Sequence, residues 1–247
     1  MELNHSRILK DSWPFFLVMG VFWLLSCLAL LQWGYEGSFV RANSYHWAWL
    51  DEASYYFLTH LGDGLILPCL LLLFMWKKRP ELAMSGVVAV LAAGFFTQIL
   101  KRMIFDDWGR PPLVFAGNPE VNIFHPHPPM NHSFPRGHAT TMAAGGLIFA
   151  WFSSRWGRIL PILVGLFTVL LCFTRVILGV HFWGDIALGS FIGCALALGL
   201  LPFLIKASEK LLSKRGPQWE GRLLWIVYAV AVIGIVGQFI HLISKQG

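Results

Sequence analysis

No charged side chain occurs from Trp13 to Trp33, and apolar stretches nearly as free of charge recur to the end of the chain. A helix needs about 20 apolar residues to cross a bilayer, and in lipid its backbone polar groups must be paired within the segment. About seven stretches meet or approach that length. They are Trp13–Trp33, Tyr56–Trp76, Leu82–Leu100, His138–Phe152, Ile159–Leu178, Trp183–Ile205 and Leu223–Ile243. The second is the weakest, because its outer end carries His60 and Asp63. The fourth is short and rich in Ala, Gly and Thr, which suits close helix packing. The expected fold is all-α, a polytopic transmembrane helical bundle of about six to seven spans forming one integral membrane domain over 1–247.

Composition narrows the classes. Of 247 residues, 56% are hydrophobic and 13% charged, against about 25% charged in soluble domains. Mean hydropathy is +0.62. Twelve tryptophans and 20 phenylalanines fit aromatic belts at the lipid–water boundary. The first stretch exceeds a typical signal-peptide core and lacks a small-residue cleavage site, so a retained helix is expected. Cys27, Cys69, Cys172 and Cys194 show neither metal-ligand nor disulfide spacing. A net charge of +6 in so apolar a chain fits cytoplasmic loops and anionic headgroups, and no nucleic-acid partner is expected.

Basic residues mark cytoplasmic loops. They precede the first span (Arg7, Lys10), join the second and third (Lys77, Lys78, Arg79), the fourth and fifth (Arg155, Arg158), and the sixth and seventh (Lys206, Lys210, Lys214, Arg215, Arg222). These positions alternate and so fall on one side. The opposite side should be poor in positive charge, yet Lys101, Arg102, Arg110, Arg136 and Arg175 lie there. One such residue could be solvated or snorkel to a headgroup. Five gathered at the ends of hairpin-connected spans point to a common anionic ligand.

Three segments hold them. In "KRMIFDDWGRPP", Pro111 keeps Arg110 in extended backbone. Asp106 and Asp107 could ligate metal, but a solvated acidic loop is the simpler reading. In "SFPRGHATTMAAGG", Pro135 and Gly137 form a turn and a helix begins near His138, where free N–H groups favour phosphate. In "RVILGVHFWGDIALGS", Arg175 closes the fifth span and Gly179 permits a break. His181 and Asp185, four residues apart, share one helical face. Asp185 can then accept a hydrogen bond from one imidazole nitrogen and leave the other as a nucleophile.

With these residues in view, the chain resembles the type 2 phosphatidic acid phosphatase (PAP2) superfamily, in its bacterial inner-membrane lipid phosphatase branch. Arg175, His181 and Asp185 match the third motif, with Thr174 at its usual serine. "FPRGH" resembles the second, with Arg136 at its usual serine. "KRMIFDDWGRP" resembles the first, with eight residues rather than six between Lys101 and Arg110. The resemblance implies a PAP2-like catalytic core at about 82–206, with an extra C-terminal span at about 223–243. It implies catalytic roles for His181, His138 and Asp185, and phosphate binding by Lys101, Arg110, Arg136, Gly137 and Arg175. It implies a phosphohistidine intermediate, no metal and no cofactor.

The expected substrate is a membrane lipid phosphate: polyprenyl pyrophosphate, phosphatidylglycerol phosphate, phosphatidate or lipid A phosphate. The aromatic residues after His181 look most like members that handle undecaprenyl pyrophosphate. The expected location is a bacterial inner membrane, with the site on the periplasmic side. The loop Pro112–Phe134, with His125, His127 and His132, would roof the site. A phosphotransferase would share the first half-reaction. An anionic-lipid transporter would need Arg110 and Arg175 but no nucleophile, so His181 with Asp185 argues against it. The vanadium haloperoxidases share the motifs but are usually soluble.

Overall fold

The computed structural model describes residues 4–45, 52–105, 107–124, 130–131, 133–214 and 218–244. Among them are ten α-helices and no strand: α1 (His5–Asp11), α2 (Trp13–Asn43), α3 (Glu52–His60), α4 (Ile66–Met75), α5 (Pro80–Met103), α6 (Pro111–Val114), α7 (Gly137–Ser153), α8 (Ile159–Ile177), α9 (Trp183–Ser213) and α10 (Gln218–Ser244). The all-α bundle expected from the apolar stretches is the fold. Among the described residues α2, α5, α8 and α9 are long and apolar enough to cross a membrane.

The remaining expected spans take other forms. Tyr56–Trp76 is broken: α3 stops at His60 and α4 starts at Ile66. The ten residues of α4 rise only about 15 Å, half a hydrocarbon core. Gly62 and Gly64 flank Asp63 in the turn between them, and glycine carries the largest entropy cost in a helix. The seventh stretch lies within α10, whose apolar part is Leu224–Ile240. The first continues past Trp33 to Asn43, across a kink at Gly34 with φ 68° and ψ −175°, a conformation open to a residue without Cβ.

The fourth stretch is the centre of the molecule. α7 is buried almost throughout from Ala139 to Ser153, and α9, α5, α8 and α4 pack around it. Small residues make this possible. A Cβ at Gly189 or Gly193 of α9 would collide with the backbone at Arg136 or Thr140, so glycine spaced by four lets the two helices touch. The periphery is inverted relative to a soluble protein. Leu24, Leu31, Phe95 and Phe203 are more than half exposed, as lipid-facing positions are.

Candidate active site

The end of the bundle that holds the site collects the last turns of α5 and α8, the first turns of α7 and α9, and the turn between α3 and α4. Pro111 and Pro112 occupy the start of α6, and Arg110 before them is extended (φ −95°, ψ 163°). Its backbone N–H donates to Met130 O at 2.8 Å and its Nε to Asn131 O at 2.7 Å. Arg136 caps α7, and its N–H donates to Asp185 O at 3.2 Å. The second and third segments are thus joined through the backbone. After α8, Gly179 takes φ 72°, and a Cβ there would strike Asn122 O. Asn43 of α2 fastens this corner by donating to Val176 O at 2.9 Å and Asn122 O at 3.0 Å.

His181 and Asp185 meet, though not on one helical face as expected. α9 begins at Trp183 and Phe182 is its extended N-cap (φ −72°, ψ 157°), so His181 precedes the helix. They meet because Asp185 turns back over the helix start. Its Oδ2 accepts from Phe182 N at 3.1 Å and from His181 Nδ1 at 3.1 Å. Free N–H groups at a helix N-terminus attract a first-turn carboxylate. Ser133 Oγ also donates to Asp185 Oδ2 and lies 3.3 Å from His181 Nδ1. Tyr35 Oη donates to Oδ1 and accepts from Trp108 Nε1 at 3.1 Å. A fully buried carboxylate is therefore held by four donors, as burial demands.

The other imidazole nitrogen faces cations. Arg110 Nη1 lies 2.9 Å from His181 Nε2. An arginine only donates, so Nε2 carries a lone pair and Nδ1 the proton. Burial, reinforced by Arg136, Arg110, Arg175 and Lys101, holds the His181 pKa well below 6.5. The imidazole is neutral at pH 7.

Lys101, Arg110, Arg136 and Arg175 are 4, 7, 8 and 4% exposed, whereas Arg102 is exposed. Lys101, not its neighbour, therefore turns into the site. Arg175 donates to Thr59 Oγ1 at 3.4 Å, and the Arg136 Nε is buried without a partner among the described residues. Burial and the nearby Arg175 and Arg110 push the Arg136 pKa down; burial lowers Arg110 to about 10. Positive charge concentrated this way attracts an anion.

Lys101, Arg136, Gly137 and His138 line a cleft of about 330 Å³. Val90, Leu91, Gly94 and Phe95, from earlier turns of the helix that carries Lys101, also line it, and Leu91 and Phe95 are exposed on the outer surface. Asp63 and Gly64 complete the rim. Asp63 Oδ2 is 4.0 Å from His138 Nε2 and 3.4 Å from His60 Nδ1. Burial raises the Asp63 pKa, but the hydrogen bond and charge of His60 outweigh it and leave the group below 3.8.

His60, Asp63 and His138 offer ligand atoms within 4.8 Å of one another and could hold a metal ion. Asp107 is exposed. Asp106, His125, His127 and His132 lie outside the described residues.

Tyr35, Ser133, Asp63 and Gln238 were not singled out as site residues from sequence. Tyr35 and Gln238 come from helices far from the motifs, and no spacing marks them. Ser133 stands three residues before Arg136 without a family position to announce it. Asp63 left one trace, as a carboxylate interrupting an apolar stretch.

Helices carrying three polar segments to one end, with a buried imidazole set among guanidinium groups, define a membrane-embedded phosphoryl-group enzyme. The chain belongs to the PAP2 superfamily, whose family model matches residues 82–209, and it is a phosphatase of that superfamily. Among solved structures it is similar to LpxE of Aquifex aeolicus. Identity is 23%, the alignment covers 68% of this chain and 94% of that one, and the TM-score is 0.58. The fold is shared with that protein. No curated protein matches the chain at a significant level.

Proposed function

We propose that the protein is an integral membrane lipid phosphatase that hydrolyses a phosphate monoester or pyrophosphate on a lipid through a phosphohistidine. The observation that carries this reading is the His181 ring, with Nδ1 tied to Asp185 at 3.1 Å and Nε2 facing Arg110 at 2.9 Å. One nitrogen is fixed as a donor and the other points into buried positive charge.

In the first half-reaction, phosphoryl oxygens take up Lys101, Arg110, Arg136, Arg175 and the Gly137 amide. Arg110 exchanges its hydrogen bond with Nε2 for one with phosphate. The Nε2 lone pair forms the N–P bond, the P–O bond to the lipid breaks, and His138 gives its proton to the leaving oxygen. The cations stabilise the charge of the in-line transition state. Asp185 stabilises the imidazolium that forms. In the second half, His138 takes a proton from water, the new O–P bond forms and the N–P bond breaks. Charge neutralisation rests on these side chains, without a metal or cofactor.

A lipid substrate is supported by the cleft. Its lining joins the cationic Lys101 and Arg136 to the apolar Val90, Leu91 and Phe95, and Leu91 and Phe95 continue onto the outer surface. The substrate classes are polyprenyl pyrophosphate, phosphatidylglycerol phosphate, phosphatidate and lipid A phosphate. The alternation of basic loops supports an inner-membrane location with the site on the periplasmic side. The domain plan proposed is one membrane unit with its catalytic core at about 82–206 and α10 beside it. Phosphate release from a panel of these lipids by purified wild type and His181→Ala tests the reading. Release by wild type alone supports it, and equal release by both overturns it.

A further inference from the structure

We propose that Asp63 positions His138 for its proton transfers, and that α10 holds Asp63 in place through Gln238. The inference rests on the role given to His138 above. Three groups converge on one oxygen, Asp63 Oδ2: Gln238 Nε2 at 3.2 Å, His60 Nδ1 at 3.4 Å and His138 Nε2 at 4.0 Å. The last falls short of a hydrogen bond, and His138 Nε2 is buried with no hydrogen-bond partner among the described residues. A closure of about 1 Å would make the bond, and catalytic hydrogen bonds commonly tighten only when substrate is bound.

The chemistry needs such a partner. His138 must give a proton to one oxygen and later take one from water, through a single nitrogen. That requires the other nitrogen to keep its hydrogen. Asp63 accepting from Nε2–H leaves Nδ1 for the transfers. The carboxylate also offsets Lys101 and Arg136, which share the cleft with His138 and oppose a second proton on the ring.

The supports for Asp63 are built in. Thr141, one turn beyond His138, donates to Gly62 O at 3.0 Å and so fastens the α3–α4 turn to α7. α10 packs on α4, and Phe239, next to Gln238, lies with its ring 6.3 Å from that of Phe57. Asp63 and Gln238 both fall outside residues 82–209, which carry the family match. The acid–base half of the site is thus completed by segments that flank the common core. A metal held by His60, Asp63 and His138 would compete for the same atoms, but the adjacent Lys101 and Arg136 disfavour a further cation.

The test is a double-mutant cycle on the full-length enzyme, with phosphatidate and 4-nitrophenyl phosphate as substrates and vanadate binding as the check of a folded site. Asp63→Asn should lower kcat on phosphatidate by about 10- to 100-fold, with KM little changed. That is the scale seen when a hydrogen-bonded partner that orients a metal-ligating histidine is lost, and less than for Asp185, whose bond to its histidine is already formed. It should cost less when phosphorylation is followed with nitrophenyl phosphate, whose leaving oxygen needs no proton. In a His138→Ala background it should cost nothing more. Gln238→Ala should lower the rate in the same direction by a smaller factor, and add nothing to Asp63→Asn. Equal losses from Asp63→Asn in both backgrounds would make Asp63 structural and overturn the proposal. So would a wild-type rate for Asp63→Asn, or a stoichiometric metal present in wild type and absent from Asp63→Asn. Full activity of His138→Ala would instead overturn the role of His138, and the proposal with it.

Discussion

Both ends of this bundle are rich in arginine, lysine and aromatic rings, yet they use them differently. At one end Lys78 lies 4.9 Å over Trp156, Arg158 lies 5.7 Å over Trp13 and Arg79 lies 5.9 Å over Trp151. Lys78 and Arg158 are exposed, free to reach water or headgroups while their stems cover apolar surface. At the other end Lys101, Arg110, Arg136 and Arg175 are buried around His181. A cation on an aromatic face at the rim anchors a helix. The same cation buried beside an imidazole and other cations favours an anion. What stands opposite the charge, rather than the charge itself, separates an anchor from a site.

Substitutions should break this contrast unequally. His181→Ala, which removes the proposed nucleophile, should lower kcat the most, by about 10⁶-fold if it behaves like the loss of a nucleophile from a catalytic triad. Asp185→Asn should cost about 10⁴-fold, because an amide cannot stabilise the imidazolium or hold its tautomer. It should still bind vanadate, which separates lost chemistry from lost folding. Arg136→Ala should cost about 2–4 kcal/mol of transition-state stabilisation, the scale of one buried donor aimed at developing charge. Arg136→Ser should recover part of that, read as kcat/KM on one lipid phosphate.

Smaller effects sharpen the contrast. Tyr35→Phe removes one donor from Asp185 and should cost about 1 kcal/mol, seen as a modest drop in kcat with KM unchanged. Because burial and neighbouring cations keep His181 neutral, kcat/KM for a nitrophenyl ester should persist as pH falls through 6.5. Its acid limb should appear only lower, where Nε2 gains a proton. At the other end Arg158→Ala should leave kcat unchanged and cost about 0.5–1 kcal/mol of stability or less, as expected for an exposed cation–π contact. A loss of activity there would erase the distinction between the ends.

The sequence made some of this legible. The apolar runs marked α2, α5, α8 and α9 because a bilayer imposes a length. Arg175, His181 and Asp185 stood out because charge and imidazole are costly near lipid. The extended backbone at Arg110 followed from Pro111 alone. Other features needed the third dimension. Tyr35 reaches Asp185 across 150 residues of chain, after a kink at Gly34 that hydropathy does not register. The break between α3 and α4 lies in an apolar stretch where only Gly62, Asp63 and Gly64 speak against a helix. His181 and Asp185 were paired for their helical spacing. They meet instead through a helix cap, which brings residues three or four apart together just as well.

The central claim is that His181, among buried cations, takes the phosphoryl group. Brief incubation with a ³²P-labelled aryl phosphate, followed by denaturation at alkaline pH where phosphohistidine survives, tests it directly. The account predicts label on His138→Ala, which can still accept phosphate from a good leaving group but hydrolyses the intermediate slowly, and no label on His181→Ala. Label on His181→Ala and none on His138→Ala would contradict it, and would exchange the roles of the two histidines.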